Sequence, residues 1–216
     1  MGYEQAFQSN TSLIEKLGEG NAHLVWAIGL YLQEGDLEGL AAEALTDGPN
    51  DKKIDFIYLD RDRKRIILAQ GYYSATKKDT AQTNKAADLN TAAAGLFAGD
   101  LSNVPTNLQA AIQECRDALD NGEVEAIELL YVHNLPESES VNRELQTAVA
   151  YLQRTLADTV PVVVQARELG SSRIQQLFMA QESHIEIRDT VRCPAKVEFS
   201  ERGPSWKASI LSVPGT

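Results

Sequence analysis

Basic residues are scarce in this chain. Its 216 residues carry 20 Lys and Arg against 31 Asp and Glu, a formal net charge of −11. A sequence-independent nucleic-acid binder draws most of its affinity from neutralising phosphates, so this balance counts against broad coating of a polyanion. It leaves room only for a local basic groove. Cysteine is scarcer still: Cys115 and Cys193 lie far apart and form no CxxC pair. That spacing argues against a zinc cage or a disulfide framework and fits a reducing compartment. Long apolar runs are missing as well; the longest, Leu24 to Leu32, is far too short to span a bilayer. The start, MGYEQAFQSNTSLIEK, has no basic region followed by an apolar stretch, so no signal peptide is read. Gly2 is not followed by Ser or Thr where myristoylation prefers one. A cytoplasmic protein without membrane association is the expectation. Internal repeats, low-complexity tracts, GxGxxG, Walker, HExxH and GxSxG motifs are all absent, which removes the common nucleotide-binding and hydrolase signatures.

What remains is ordinary for a globular domain: 43% hydrophobic and 24% charged residues, enough for one substantial core. Apolar residues recur at helical spacing from Asn10 to Gly35, with Gly18 and Gly20 splitting the run and Asn21 as an N-cap for its second half. A short helix from Leu37 to Ala44 follows and ends at Asp47-Gly48-Pro49-Asn50, a turn signal. Ile54 to Leu59 and Arg65 to Gln70 read as a β-hairpin around the charged stretch Asp60 to Lys64, taken as a solvated tip. Helices are predicted over Thr83 to Phe97 and Asn107 to Asn121, the latter closed by Gly122. A buried strand over Glu125 to Val132, a helix over Ser138 to Ala157, a buried strand over Val160 to Gln165 and a helix over Ser171 to Met179 complete the pattern. Strands alternating with helices predict an α/β domain with a mixed, partly parallel sheet. The domain is expected over residues 1–182, with 183–216 as a β-rich following region or linker, Pro214-Gly215-Thr216 resembling the approach to a further domain.

The stretch DGPNDKKIDFIYLDRDRKRIILAQGYYS, Asp47 to Ser74, carries the chemistry. If its two strands pair through the Asp60–Lys64 turn, Asp55 and Gln70 fall at the same end of the hairpin. A carboxylate, an amide oxygen, a backbone carbonyl and water suit Mg²⁺, which takes few protein oxygens and keeps several waters. Such an ion polarises a phosphodiester and generates the attacking hydroxide.

A strand beginning with Asp, a hairpin, and a strand ending in D/E/Q-x-K resembles the PD-(D/E)xK nuclease superfamily. More closely, DGPNDKKIDFIYLD followed by IILAQGYYS resembles the N-terminal region of bacterial abortive-infection phage-resistance (AIPR) proteins. The resemblance covers about the first hundred residues; the remainder agrees in element order. It implies a restriction-endonuclease-like core of helix, β-hairpin and alternating helices and strands, in which Asp55 and Gln70 are metal ligands. It also implies nucleic acid as substrate, a candidate homodimer, and a longer parent chain with a C-terminal remainder.

One departure stands out. The lysine expected two residues after Gln70 is Tyr72, which at its ordinary pKa of about 10 is neutral and supplies no charge to the phosphorane. Some families of the superfamily move this lysine to the following helix, and Lys85 opens such a helix here. Lys77 and Lys78 are nearer in sequence but lie in a loop. The acidic residue that the family places on its first helix has Glu15 and Glu19 as candidates, with His23 as a replacement. A local basic groove is expected from Lys52, Lys53, Lys77, Lys78 and Lys85. Simpler roles stand beside these: a strand-start Asp can cap a turn, a strand-end Gln can pair with backbone, and a lysine in a first helical turn can be merely solvated. His23, His133 and His184 show no ligand spacing, and neither cysteine has the flanks of a nucleophile. The competing functional expectation is an inactive domain that keeps this fold for binding.

Overall fold

A computed structural model describes residues 2–46, 54–157, 161–182, 196–202 and 207–212. It divides into two units, Met1–Glu182 and Ser183–Thr216. The larger is mixed α/β, built on a four-stranded mixed sheet of order β1-β2-β3-β4. Its strands are β1 (Phe56–Asp60), β2 (Arg65–Tyr72), β3 (Ala126–His133) and β4 (Val163–Leu169). β1 is antiparallel to β2, whereas β2, β3 and β4 run parallel. The smaller unit contains an antiparallel pair, β5 (Lys196–Arg202) and β6 (Lys207–Ser212). The turn Asp47–Asn50, Lys52, Lys53, Val160, His184, Cys193 and Pro214–Thr216 lie outside the described residues.

Alternation along the strands divides the core into two layers. Ile66 and Leu68 of β2 and Ile127, Leu129 and Tyr131 of β3 pack with α4 (Thr83–Ala98), α5 (Thr106–Asp120) and α6 (Glu139–Leu156). Ile67, Ala69, Leu130 and Val132 turn the other way, towards α1 (Tyr3–Gln8), α2 (Thr11–Leu32), α3 (Leu37–Ala44) and α7 (Ser171–Glu182). Each fully buried Ile or Leu in these layers contributes about 1.5–3 kcal/mol.

Local chemistry sets the helix limits. The Asp36 carboxylate accepts from the Gly39 N–H and starts α3. Gly122, at φ 70°, ends α5 with bonds from Gly122 N to Leu119 O and from Glu123 N to Ala118 O, a Schellman closure. Within α2 the helical path breaks at Gly18 (φ 76°, ψ 157°), a conformation that strongly favours glycine. Asn21 therefore lies inside the second half of α2 instead of capping it.

Two expectations need correction. The strand expected at Val160 to Gln165 is displaced, and β4 occupies Val163–Leu169 at the edge of the sheet, with Val163 63% exposed. The parallel register pairs Ala126 with Val163 and carries the strand on through Arg167 and Glu168. Pro161, lacking an N–H for the ladder, precedes it. The hairpin tip is also not simply solvated. Asp60 is buried, accepting from Arg65 Nε at 3.0 Å and from Arg63 N at 3.1 Å, while Arg61 reaches Glu114 and Glu123 on or beside α5.

Beneath that tip, on the α2 side, lies a buried polar network. Arg65 Nη1 meets Glu128 at 3.0 Å, and Glu128 also accepts from Tyr31 Oη (2.9 Å) and Gln165 Nε2 (2.7 Å). Burial alone would raise the Asp60 carboxyl, but hydrogen bonds from Arg65 and Arg63 outweigh it and hold the group below the usual carboxylate range.

Candidate functional site

The opposite end of the sheet, where β2 and β3 finish, gathers the residues singled out from sequence. Asp55 N donates to Ala69 O, extending the hairpin ladder one residue beyond β1. That register sets the Asp55 carboxylate beside Gln70. Gln70 Nε2 donates to Asp55 Oδ2 at 2.6 Å, and the Gly71 N–H donates to the same oxygen at 2.7 Å. Gln70 is 2% exposed, and its Oε1 has no hydrogen-bond partner among the described residues. Asp55 and Gln70 are thus brought together as the hairpin requires. Ligands of open parallel sheets occupy this carboxyl-end edge, beyond the last residues of the strands.

Alternation puts Tyr72 on the same face of β2 as Gln70, half-buried against the α4 layer. Its hydroxyl accepts a 2.8 Å hydrogen bond from Lys78 Nζ, which also stands 5.6 Å from the ring centre. That bond pulls the phenol below its ordinary pKa. Sequence pattern puts Lys78 in a loop, as one member of the expected basic groove. Only the turn of the chain after β2, through the exposed residues Ala75 to Thr80, returns its ammonium to Tyr72.

Lys85 sits half-buried in the first turn of α4. Its neighbourhood is fixed by Tyr131, the β3 partner of Gln70 in the parallel register. Tyr131 Oη donates to Gln82 O at 3.1 Å, and the same carbonyl accepts from Lys85 N at 3.2 Å. The start of α4 is therefore anchored over the strand next to Gln70. Of the expected basic groove, Lys77 and Lys78 are exposed in the loop after β2.

Glu15 and Glu19 are both exposed on α2. The Glu19 charge acts on Tyr73, helping burial to raise its hydroxyl pKa. His23 is buried, edge-on to Phe7 at 5.3 Å and tilted against Tyr73 at 5.3 Å.

A second pair at this end was not visible in sequence. His133, fully buried, places Nε2 2.9 Å from Glu168 Oε1 and Nδ1 3.0 Å from Leu135 O. Glu168 also accepts from Ser138 N, the N-cap of α6. With every partner satisfied, the pair ties the β3–α6 loop to β4. Gly170 permits this closeness, since a Cβ there would lie 2.7 Å from Leu135 O and 2.8 Å from His133 Cε1. Cys115 is buried and its thiol is pushed up to about 12 by burial, which makes it inert.

Burial, aided by the nearby His133, lowers the His23 pKa from 6.5 to about 3. Below pH 6.5 the unfolded chain takes up a proton that the native chain refuses, so stability is complete above that pH and falls as pH drops towards 3. Urea denaturation from about pH 7 to about pH 4.5 is expected to lose about 2.5 kcal/mol through this group, at about 1.4 kcal/mol per pH unit. His23→Leu should flatten that slope; an unchanged slope would contradict the assignment.

No protein-family model, curated protein or solved structure matches this chain. Among the described residues, no helix is long and apolar enough to cross a membrane. No group of three or more His, Cys, Asp or Glu converges among them as a metal cage would need.

Proposed function

We propose that the unit Met1–Glu182 is a Mg²⁺-dependent phosphodiester hydrolase domain acting on nucleic acid, with a restriction-endonuclease-like core and an altered centre. It would belong to a cytoplasmic, AIPR-type phage-defence protein. The carrying observation is the Asp55–Gln70 contact, with Gln70 Oε1 buried and without a donor among the described residues. An acceptor left unmatched in a buried site costs about 1–3 kcal/mol, and a cation would satisfy it. One carboxylate and one amide oxygen fit Mg²⁺, which binds through few protein oxygens and retains its waters. Asp55 and Gln70 would hold the ion; when bound, it would supply Lewis-acid polarisation of the phosphate and an acidified water.

The chain's own residues supply the rest. Lys78, seated on Tyr72, brings a positive charge to the edge where phosphate charge grows, and Lys85 at the start of α4 is the second cation. Tyr72 acts as a positioning residue for Lys78. In a plasmid-nicking assay with Mg²⁺, Lys78→Ala is expected to slow cleavage by roughly 10²-fold, as removal of one preorganised electrostatic group does. Tyr72→Lys should make the rate independent of Lys78, so that Tyr72→Lys/Lys78→Ala nicks at least as fast as the unaltered chain. Full activity in Lys78→Ala with loss in Lys85→Ala would assign the charge to Lys85 instead.

A second reading, an inactive fold retained for binding, is favoured by one observation. Asp55 Oδ2 already accepts from both Gln70 and Gly71. Under that reading neither lysine substitution changes a rate, because there is none.

A further inference from the structure

β1 and β4 form the two edges of the four-stranded sheet. An uncovered edge offers unpaired N–H and C=O groups to any extended chain, and proteins commonly block it. The block at β4 is explicit. Gln153 of α6 spans that edge, its Nε2 donating to Val162 O at 2.8 Å and its Oε1 accepting from Val164 N at 2.9 Å. β1 is covered only where it begins. Thr46 N donates to Asp55 O at 3.1 Å, and Leu45 bridges Phe56 in the antiparallel sense. The cover stops there because the residues before Leu45 belong to α3, whose backbone groups bond along the helix.

Where it stops, a cleft of about 250 Å³ opens. Six consecutive residues, Ile57 to Asp62, line it, so the strand edge itself forms the floor. Glu43 of α3 stands on one face of the sheet, and Ala111, Glu114 and Cys115 of α5 stand on the other. The lining is acidic. Asp60 is matched by Arg63 and Arg65. Arg61, the one base among the described lining residues, is matched by Glu114 and Glu123. Glu43 and Asp62 are exposed and make no ion pair among the described residues. Burial, and then the charges of Glu43, Asp60, Glu34 and Asp62, raise the Tyr58 hydroxyl above its ordinary pKa. A second cleft of about 360 Å³ shares Arg61 and Glu114 and adds Asp117 to the acidic lining.

We infer that this cleft docks an extended, lysine- or arginine-bearing segment of a partner protein, which adds to β1 as a fifth strand. Main-chain bonds to the edge supply the affinity in such complexes, and alternate side chains supply the selection. A strand turns successive side chains to opposite faces. Basic side chains at every second position therefore meet Glu43, while those between meet Ala111 and Cys115 and are apolar. A second copy of this chain does not fit, since its β1 would set the same carboxylates against these. The inference is independent of the hydrolase reading, because the cleft follows β1 to the Asp60 turn and is not lined by Asp55 or Gln70.

The test uses the full chain and an end-blocked, fluorescein-labelled peptide of about eight residues alternating Val and Lys, followed by anisotropy. Saturable binding is expected, at least about tenfold tighter than that of the matching Val–Glu peptide, because like charges are repelled from the cleft. Hydrogen exchange across Ile57–Asp62 should slow in the complex, as new ladder bonds require. Glu43→Lys combined with Asp62→Lys, both at exposed positions, should weaken binding at least about tenfold. Ala111→Trp, which fills the cleft without altering its charge, should do the same, with circular dichroism to confirm that both variants fold. Failure of the Val–Lys peptide to bind by about 1 mM, equal binding of the Val–Glu peptide, or unchanged binding in either folded variant overturns the inference. Binding without slowed exchange over Ile57–Asp62 overturns the strand addition. A dimer in sedimentation that Ala111→Trp dissolves would put a second copy in the cleft and overturn it as well.

Discussion

Arg65→Ala is expected to destabilise the Met1–Glu182 unit by about 3–5 kcal/mol, the range for removing one partner of a buried ion pair. The guanidinium is 13% exposed and lies between Asp60 and Glu128, whose side chains are 4% and 5% exposed. Truncation removes the guanidinium that pairs with the buried Glu128, leaves Asp60 with the more exposed Arg63 at 3.3 Å, and takes the guanidinium from its place over the Tyr31 ring, 5.6 Å away. Arg65→Lys keeps a charge but not the fork that serves both acids through Nε and Nη1, so an intermediate loss is expected. The deficit should shrink as pH falls into the carboxylate range, because a protonated acid no longer needs the guanidinium. Urea denaturation measures it, and a loss below about 1 kcal/mol would show that this network contributes no more than a surface ion pair.

The second large effect is on activity. Asp55→Asn is expected to lower the initial rate of plasmid nicking by at least about 10³-fold, the scale on which single members of a catalytic group act. The choice of asparagine matters. Alanine would strip the acceptor from both Gln70 Nε2 and the Gly71 N–H, at about 1–3 kcal/mol for each donor left unmatched, and would confuse stability with chemistry. Asparagine retains an oxygen for these donors while it removes the charge and replaces the second oxygen with an NH2 group. A rate within tenfold of the unaltered chain would separate Asp55 from the chemistry.

Local signals made much of the scaffold legible before any coordinates. α3 runs over Leu37–Ala44 as predicted, because Asp36 caps it and its apolar residues recur at helical spacing. The hairpin is legible because β-branched and aromatic residues flank one charged turn, and its register alone places Asp55 against Gln70. β4 was misplaced for a physical reason. An apolar run marks the existence of a strand, but pairing with β3 decides where it begins, and that pairing draws in Arg167 and Glu168. Long-range pairs were equally hidden. Nothing local distinguishes Asp60 from the exposed Asp62, yet only Asp60 meets Arg65 in the interior. Lys78 on Tyr72 and Glu168 on His133 likewise depend on how loops and strands return, which composition does not record.

The central claim is that Asp55 and Gln70 hold a divalent cation for phosphodiester chemistry. Calorimetric titration of Mn²⁺ into the unaltered chain and into Asp55→Asn, with circular dichroism to confirm that both are folded, tests it most directly. Saturable binding in the unaltered chain, lost in the variant, is the predicted result. Two folded proteins that both fail to bind, or that bind equally well, would contradict it.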